Sequence, residues 1–148
     1  MLKAAKAFKP ASGLQYSYYE GPEMSVDKIN QSKPIKMGVV NNFNLNNKNR
    51  KSIFGFVYTG YIDINTTGMY DFYTTSDDGS LLYIDDQVVV DNNGDHGMEE
   101  KNDKAVLEKG FHKIKVIYYD SGGDNGLRVS YNLSGQPKME IPATMLFH

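Results

Sequence analysis

Two adjacent aspartates, Asp77 and Asp78, are the residues of this sequence best suited to hold a ligand. They precede Gly79 and stand where the alternating apolar pattern of the preceding residues breaks. Neighbouring side chains of a β-strand point to opposite faces, so both carboxylates can serve one site only if the backbone between them is bent, for example by a cis peptide bond. The alternative is a polar turn with two solvated carboxylates, because Asp and Gly are common turn residues.

Calcium is the metal that this pattern favours. Ca²⁺ takes about six to eight oxygen ligands, many of them from carboxylates, and it tolerates irregular loops. Asp77 and Asp78 could supply part of that shell, and Asp120, Asp124 and Asn125, in and before the glycine-rich loop SGGDNG, could supply more. The alternative is two unrelated polar loops, since neither has the spacing of an EF-hand.

Two further residues could contact a ligand beside the aspartates. His96 lies in the loop sequence GDHGM, where a histidine could touch a ligand or could make a single backbone hydrogen bond. Tyr119 falls on the alternate face of its strand beside the glycine-rich loop, and its ring could stack on a sugar. Most of the tyrosines follow the periodic core faces instead, where packing explains them.

The patterns that would indicate catalysis are missing from the sequence. Glycoside hydrolysis needs two carboxyl groups about 5–9.5 Å apart across the substrate, and the adjacent pair Asp77 and Asp78 does not suit that geometry. Glu99 and Glu100 lie in a charged stretch that is typical of a solvated loop. Neither a G-x-S-x-G nucleophile elbow nor a P-loop occurs. The sequence therefore favours binding over catalysis.

Short β-strands must position these residues. Turn signals recur about every 8–12 residues between apolar alternations, which predicts an all-β fold, an antiparallel β-sandwich of jelly-roll-like type, with no convincing helix. Residues 24–36 and 92–102 are predicted as loops, and Asp85 and Asp86 as a hairpin turn. The clearest alternations cover residues 14–20, 53–64, 69–75, 112–119 and 127–133. Eight residues on the alternating faces are expected to build the core: Phe54, Phe56, Tyr70, Phe72, Leu82, Ile84, Val116 and Val129.

Length and composition indicate one domain, which we place at residues 14–148 behind a linker or tail at residues 1–13. The net charge of −2 gives no basic footprint for nucleic acid or an anionic membrane. No apolar run reaches the ~20 residues of a membrane helix, and the absence of cysteine excludes disulfides. Residues 1–9 lack the apolar core of a signal peptide, so we expect an excised domain or a targeting sequence elsewhere.

Several motifs together resemble one known family. They are G-Y-I-D-I, G-x-Y-x-F, S-D-D-G-S-x-L-Y-I-D and G-x-H-x-I-x-V-x-Y, within a match that covers nearly the whole chain from Gly13. The sequence resembles the protective-antigen 14-kilodalton domain family, whose members are β-sandwiches inserted in or appended to bacterial glycoside hydrolases, toxins and fungal adhesins.

The resemblance implies a calcium-assisted sugar site. In sugar-binding members a consecutive aspartate pair with a cis peptide holds calcium, which binds sugar hydroxyls, and Asp77 and Asp78 match that pair. The second calcium loop of adhesins matches only by position, at residues 120–125, because its asparagine and aromatic pattern is not reproduced here.

The expected function is a non-catalytic carbohydrate-binding module with a glycan as its partner. The N-terminal SYYEG and the C-terminal IPATMLFH resemble versions attached to exported, hexosaminidase-like glycosidases. We therefore expect a covalently linked catalytic domain upstream and an extracellular or periplasmic location. The alternative is a module that packs on a catalytic domain and shapes the rim of its active site without independent sugar binding.

Overall fold

The computed structural model, which describes residues 1–5 and 9–148, confirms the antiparallel β-sandwich. Its strands are β1 (Leu14–Glu20), β2 (Lys36–Val40), β3 (Phe54–Ile64), β4 (Gly68–Asp77), β5 (Ser80–Ile84), β6 (Gln87–Asn92), β7 (Glu99–Leu107), β8 (Gly110–Asp120), β9 (Gly126–Leu133), β10 (Met139–Glu140) and β11 (Leu146–Phe147). A helix, α1 (Val26–Gln31), and a 3₁₀ turn (Ala143–Met145) complete the described elements.

The strands form two layers around one core. The larger sheet has the order β2-β1-β3-β8-β5-β6 with β11 paired to β3, and the smaller sheet has the order β10-β9-β4-β7. All eight residues expected in the core are buried between the sheets. Half-buried strands with polar alternate residues bury their apolar faces by stacking two sheets in this way.

Four strand ends meet at one end of the sandwich, and they bring the polar loops together. Asp77 ends β4 and faces Gly126 at the start of β9, whereas Asp120 ends β8 and faces Phe54 at the start of β3. The turn after Asp77 and the loops 92–98 and 121–125 therefore share this end. We call it the carboxylate end, after Asp77, Asp78 and Asp120.

The opposite end, which we call the far end, holds the predicted hairpin turn between β5 and β6. Asp85 and Asp86 have φ values of 49° and 67°, the positive values that a two-residue hairpin turn requires. The turn between β7 and β8 and the start of β8, with Glu108 and His112, lie at the same end.

The prediction of a loop over residues 24–36 is wrong where α1 forms. Ser25 caps the helix, since its Oγ accepts a hydrogen bond from the Lys28 backbone N–H at 3.1 Å. Val26 and Ile29 pack against the outer face of the larger sheet, in a cluster with Leu81, Ile117 and Tyr119. A helix of six residues with two apolar anchors is too short to give a helical period in the sequence.

The prediction of a loop over residues 92–102 is wrong from Glu99 onward. Residues 99–104 belong to β7, which pairs with β4 in a register that sets Glu100 beside Thr75. Every one of these six residues is exposed, because β7 is an edge strand of the smaller sheet. A strand that buries neither face shows no alternation of apolar and polar residues, so the hydrophobic pattern could not reveal it.

The segment predicted as a tail makes backbone contacts with the sandwich where it is described. Leu2 donates to the Val106 carbonyl at 2.8 Å and Ala5 donates to the Phe111 carbonyl at 2.7 Å. Residues 6–8 lie outside the described residues, and the boundary between tail and domain stays a prediction. In the described ranges, no helix combines the length and apolar character needed to cross a membrane.

Candidate functional site

The aspartate pair sits on a bent backbone at the end of β4. The peptide bond between Asp77 and Asp78 is cis, as the sequence predicts for a pair that serves one site. The hydroxyl of Tyr118 donates to the Asp77 carbonyl at 2.6 Å, and the Asp78 backbone N–H donates to the Tyr119 carbonyl at 3.1 Å. Asp77, Asp78 and Asp120 each offer a carboxylate oxygen, and these oxygens lie within 4.8 Å of one another.

Asp78 joins two loops through its side chain. Its Oδ1 accepts from the His96 backbone N–H at 3.0 Å, and its Oδ2 accepts from the backbone N–H and the hydroxyl of Ser121 at 2.8 and 3.0 Å. The residue is buried. Loops 92–98 and 121–125 are thus fixed to the same carboxylate, which defines the walls of the carboxylate end.

Asp120 carries a buried oxygen that the protein does not satisfy. Its Oδ2 accepts from the Ile53 backbone N–H at 2.9 Å, but its Oδ1 is buried without a hydrogen-bond partner. Burial raises the pKa of Asp120 to about 6, and the charges of Asp78 and Asp77 add to this effect. Burial also raises the pKa of Asp77, with further contributions from the charges of Asp78 and Asp124.

The three carboxylates fit a hard divalent cation. An unpartnered buried oxygen is uncommon in native proteins and calls for an explanation, such as an ion or an ordered water. Carboxylate oxygens are the ligands that Ca²⁺ prefers, and Ca²⁺ accepts a less regular arrangement than Mg²⁺ does. Two loops with polar backbone groups border the cluster, so additional oxygens are close at hand.

Asp124 and Asn125 were predicted as ligands because of their loop. They lie outside the group formed by Asp77, Asp78 and Asp120. Asp124 is exposed and stands outside the three-carboxylate group, although its charge acts on Asp77. The Asn125 Oδ1 accepts from the Lys48 ammonium at 3.0 Å and its Nδ2 donates to the Lys51 carbonyl at 2.5 Å. Asn125 therefore links loop 121–125 to residues 48–51.

His96 contacts the site with its backbone and uses its ring to close its own loop. The ring nitrogens Nδ1 and Nε2 lie 2.8 Å from the Gly97 carbonyl and 2.9 Å from the Asn92 carbonyl. Burial acts to lower the pKa of His96, but these two carbonyls together with Glu99 and Asp78 outweigh it, and the pKa is raised. The imidazole of His96 therefore affects the aspartates of the site through its charge.

The expectation that Tyr119 stacks on a sugar is wrong. Its side chain is 3% exposed, which leaves no ring face for a ligand. The phenol donates to Asp95 at 2.9 Å, and a Cβ atom on Gly79 would lie 2.5 Å from the Tyr119 ring. The ring therefore packs against the turn that follows the aspartates and is bonded to loop 92–98. Glycine is needed at position 79 because a side chain there would clash with the Tyr119 ring.

Sequence reasoning missed three contributors to the site. Ser121 binds Asp78, Asp95 accepts from Tyr119, and Ile53 binds Asp120. Ile53 has φ 61°, a conformation that β-branched residues avoid. It is held there by its bond to Asp120 and by Arg50, whose Nη2 donates to the Ile53 carbonyl at 2.6 Å. Ser121 and Asp95 stood within the loop sequences SGGDNG and GDHGM that the sequence had singled out, whereas Ile53 was assigned only to a strand.

Comparisons with known proteins agree with this architecture. The family model of the PA14 domain matches residues 10–144. The anti-sigma-I factor RsgI3 of Acetivibrio thermocellus is 26% identical over 98 residues, which cover 66% of this chain and 15% of that protein. The chain therefore spans only a small part of its curated relative.

Two solved structures share the fold at low identity. An anti-sigma factor domain-containing protein superimposes with a TM-score of 0.79 at 22% identity, covering 92% of this chain and 47% of that chain. The PA14 sugar-binding domain from an RTX adhesin superimposes with a TM-score of 0.76 at 18% identity, covering 93% of this chain and 98% of that domain. At such identities the likeness demonstrates the fold alone.

Proposed function

The chain belongs to the PA14 domain family, and from this premise we propose that it is a non-catalytic carbohydrate-binding module whose site holds Ca²⁺ at Asp77, Asp78 and Asp120. The observation that carries the proposal is the buried, unpartnered Oδ1 of Asp120 within a group of three carboxylates. A sugar-binding domain of the same fold in an RTX adhesin supports the choice of a glycan as ligand.

The three aspartates have different roles in this site. Asp77 and Asp120 supply negative charge and oxygen ligands, and Asp78 does so while it also fixes both neighbouring loops. Bound Ca²⁺ would accept hard oxygen donors such as vicinal sugar hydroxyls at positions that the protein leaves open. Removal of any carboxylate lowers the charge available to the cation, but only the loss of Asp78 also releases the loops.

The loops around the carboxylates set which sugar fits. Asn93, Asp95, Gly122, Gly123 and Asp124 are exposed and offer hydrogen-bonding groups at the rim. The one aromatic ring expected to face a sugar is buried instead. Such a polar site gives little apolar contact to offset the ordering of the ligand, so we expect dissociation constants on the order of 0.1–1 mM.

The test is a titration of the chain with terminal galactose, N-acetylglucosamine and N-acetylgalactosamine glycans, with Ca²⁺ and with a chelator. We expect binding to at least one glycan with Ca²⁺ and none with the chelator. Asp77→Asn should abolish it, since the substitution removes charge without breaking a loop contact. Asp86→Asn, the same change at an exposed position of the far end, is the matched control and should bind as the parent does. Failure of every glycan to bind at tens of millimolar (about a hundred times the expected constant) would refute the proposal.

A second candidate function has an observation of its own. An apolar strip runs along β2, an edge strand of the larger sheet: Ile35 directly before the strand and Met37 and Val39 within it expose 53, 69 and 55% of their surface. An exposed apolar strip favours a module that packs on a neighbouring domain. In that case Met37→Lys with Val39→Lys would weaken the association with the neighbouring domain in the longer protein, and glycan binding would be absent from the parent chain.

The longer protein is also a matter of proposal. We propose a glycoside hydrolase, hexosaminidase-like in its catalytic domain, at an extracellular or periplasmic location. The relatives named as anti-sigma factors instead favour a regulatory protein that carries the same domain. The coding sequence on either side of this domain distinguishes the two, because a catalytic barrel and an anti-sigma segment differ in both length and pattern.

A further inference from the structure

Basic residues are concentrated on one side of the carboxylate end. Residues 28–62 contain no Asp or Glu but carry six basic side chains, although the whole chain has a net charge of −2. Four of them lie in residues 36–51, which we call the basic segment: Lys36, Lys48, Arg50 and Lys51. Charge segregated in this way makes a local field that the net charge conceals.

The basic segment is attached to the loop that borders the carboxylates. Lys48 donates to the Asn125 Oδ1 at 3.0 Å, and the Lys51 carbonyl accepts from the Asn125 Nδ2 at 2.5 Å. Asn125 directly precedes Gly126, the β9 residue that faces Asp77. Arg50 reaches the same region, because it holds Ile53, whose N–H binds Asp120. The cations thus stand at the wall of the proposed calcium site.

These cations have no anionic partner among the described residues. Within the ranges that the structure describes, no carboxylate oxygen lies within 4.0 Å of the side-chain nitrogens of the basic segment. Lysines elsewhere do form ion pairs, such as Lys104 with Asp71 at 2.6 Å and Lys113 with Asp86 at 3.2 Å. The positive charge beside the site therefore remains available to a ligand.

Bound Ca²⁺ would also offset two of the negative charges of the carboxylate end, which include Asp95 and Asp124 at the rim. The carboxylates would then repel an anionic ligand less strongly. A neutral sugar would make no use of Lys48, Arg50 and Lys51, whereas an anionic group beside the calcium would be attracted by them.

We propose that the ligand of this site is an acidic glycan, one whose sugar carries a carboxylate or a sulfate. The inference rests on the proposed calcium-assisted sugar binding and names its ligand class. The sugar hydroxyls face the calcium ligands, and the anion lies toward Lys48 and Lys51. Both lysines are exposed on flexible stems, which suits them to a point charge at a variable distance.

The experiment compares a neutral sugar with two acidic derivatives that differ from it at one position, C6. The chain is titrated with galactose, galacturonate and galactose 6-sulfate in excess Ca²⁺, at about 50 mM and about 500 mM NaCl. We expect the acidic sugars to bind about threefold to fivefold more tightly than galactose at low salt, the scale of exposed ion pairs. High salt should reduce that ratio. A preference for both acids assigns the site to anions in general, and a preference for one identifies the acidic group.

Two double variants locate the preference. Lys48→Ala with Lys51→Ala should bring the ratio of acidic to neutral affinity close to one. Lys3→Ala with Lys109→Ala removes the same charge at the far end, where both side chains are exposed, and should leave the ratio unchanged. A ratio that survives the first pair of substitutions, or that falls equally in both, overturns the inference.

The remaining outcomes separate this inference from the function on which it rests. Equal affinity for galactose and both acidic sugars overturns the acidic ligand and leaves calcium-dependent sugar binding intact. Absence of binding to every sugar overturns both. Binding to vesicles of phosphatidylserine and phosphatidylcholine that is lost in the Lys48 and Lys51 variant, without a preference among sugars, would assign the basic segment to a lipid surface and overturn the acidic glycan.

Discussion

The two ends of the sandwich each bury polar side chains, and only the far end satisfies its own. There, His112 is fully buried, with Nδ1 2.7 Å from the Asp85 Oδ2 and Nε2 2.7 Å from the Glu108 carbonyl. The other oxygen of Asp85 accepts from the Lys113 backbone N–H at 3.0 Å. Each ring nitrogen of the histidine and each carboxylate oxygen of the aspartate therefore lies within hydrogen-bond distance of a group in the chain.

The carboxylate end differs, because one of its buried carboxylate oxygens lacks a hydrogen-bond partner. Asp78 is satisfied by two loops, but the Asp120 Oδ1 has no partner and lies in a group with two further carboxylates. A buried acceptor without a partner loses its hydration and gains nothing in exchange. The difference teaches that burial alone does not mark a site: the far end connects turns, whereas the carboxylate end leaves a buried oxygen for which we propose a cation as partner.

The largest expected effect comes from removing the buried side chain of His112 at the far end. His112→Ala removes the partner of Asp85 and leaves a cavity, so we expect a loss of about 3 kcal/mol in the free energy of unfolding. The loss should be the same with Ca²⁺ and with a chelator, because the contacts of His112 lie at the other end. Urea unfolding under both conditions measures it. A loss that calcium restores would show that the two ends are coupled.

Calcium binding at the carboxylate end should stabilise the parent protein. At a calcium concentration a hundred times the dissociation constant, binding to the folded state contributes about 2.7 kcal/mol. Asp120→Asn should remove that gain and should make the calcium-free protein more stable than the parent, since it relieves the repulsion among the carboxylates while an amide oxygen can still accept from Ile53. Melting curves of the parent and the variant, with Ca²⁺ and with a chelator, measure both the loss of the calcium effect and the gain in stability without calcium. Identical curves for the parent under the two conditions would exclude the metal.

The turn that supports the aspartates should tolerate no side chain. Gly79→Ala would place a Cβ atom 2.5 Å from the Tyr119 ring and 2.9 Å from the Gly94 backbone, so we expect a loss of about 1–3 kcal/mol and weaker calcium binding. Gly97→Ala is the matched control in the adjoining loop, because nothing lies within 4 Å of its Cβ position. It should change stability by no more than about 0.5 kcal/mol. Equal effects of the two substitutions would contradict the close packing of the turn.

Much of this comparison could be predicted from the sequence because it follows local patterns. Alternation along β3 and β4 identified the inward faces with Phe56 and Phe72, and the broken pattern at Asp77 and Asp78 identified the bend. These features depend on residues close to one another in the chain.

What the sequence could not provide depends on residues that are distant in the chain. Asp78 and Ser121 are 43 positions apart, and Ile53 and Asp120 are 67 apart, so their contacts come from the sheet order. Tyr119 could have faced either outward or beneath a loop, and α1, which helps to bury that face of the sheet, gave no periodic signal. The resemblance of the motifs to a known family supplied the fold of the site but not these supporting contacts.

The smallest expected effect is a pH dependence of opposite sign for the free and the calcium-bound protein. Folding raises the pKa of Asp120 from 3.8 to about 6, so the folded calcium-free chain binds this proton more tightly than the unfolded chain does. The contribution of Asp120 to stability is then fully present below about pH 4 and is lost as the pH rises through about 6. Calcium requires the deprotonated carboxylate, so its stabilisation should instead be large at pH 7.5 and small at pH 5. Melting temperatures at both pH values, with Ca²⁺ and with a chelator, measure the two trends. A calcium-induced shift of equal size at both pH values would remove Asp120 from the ligand set and leave its unpartnered oxygen without a function.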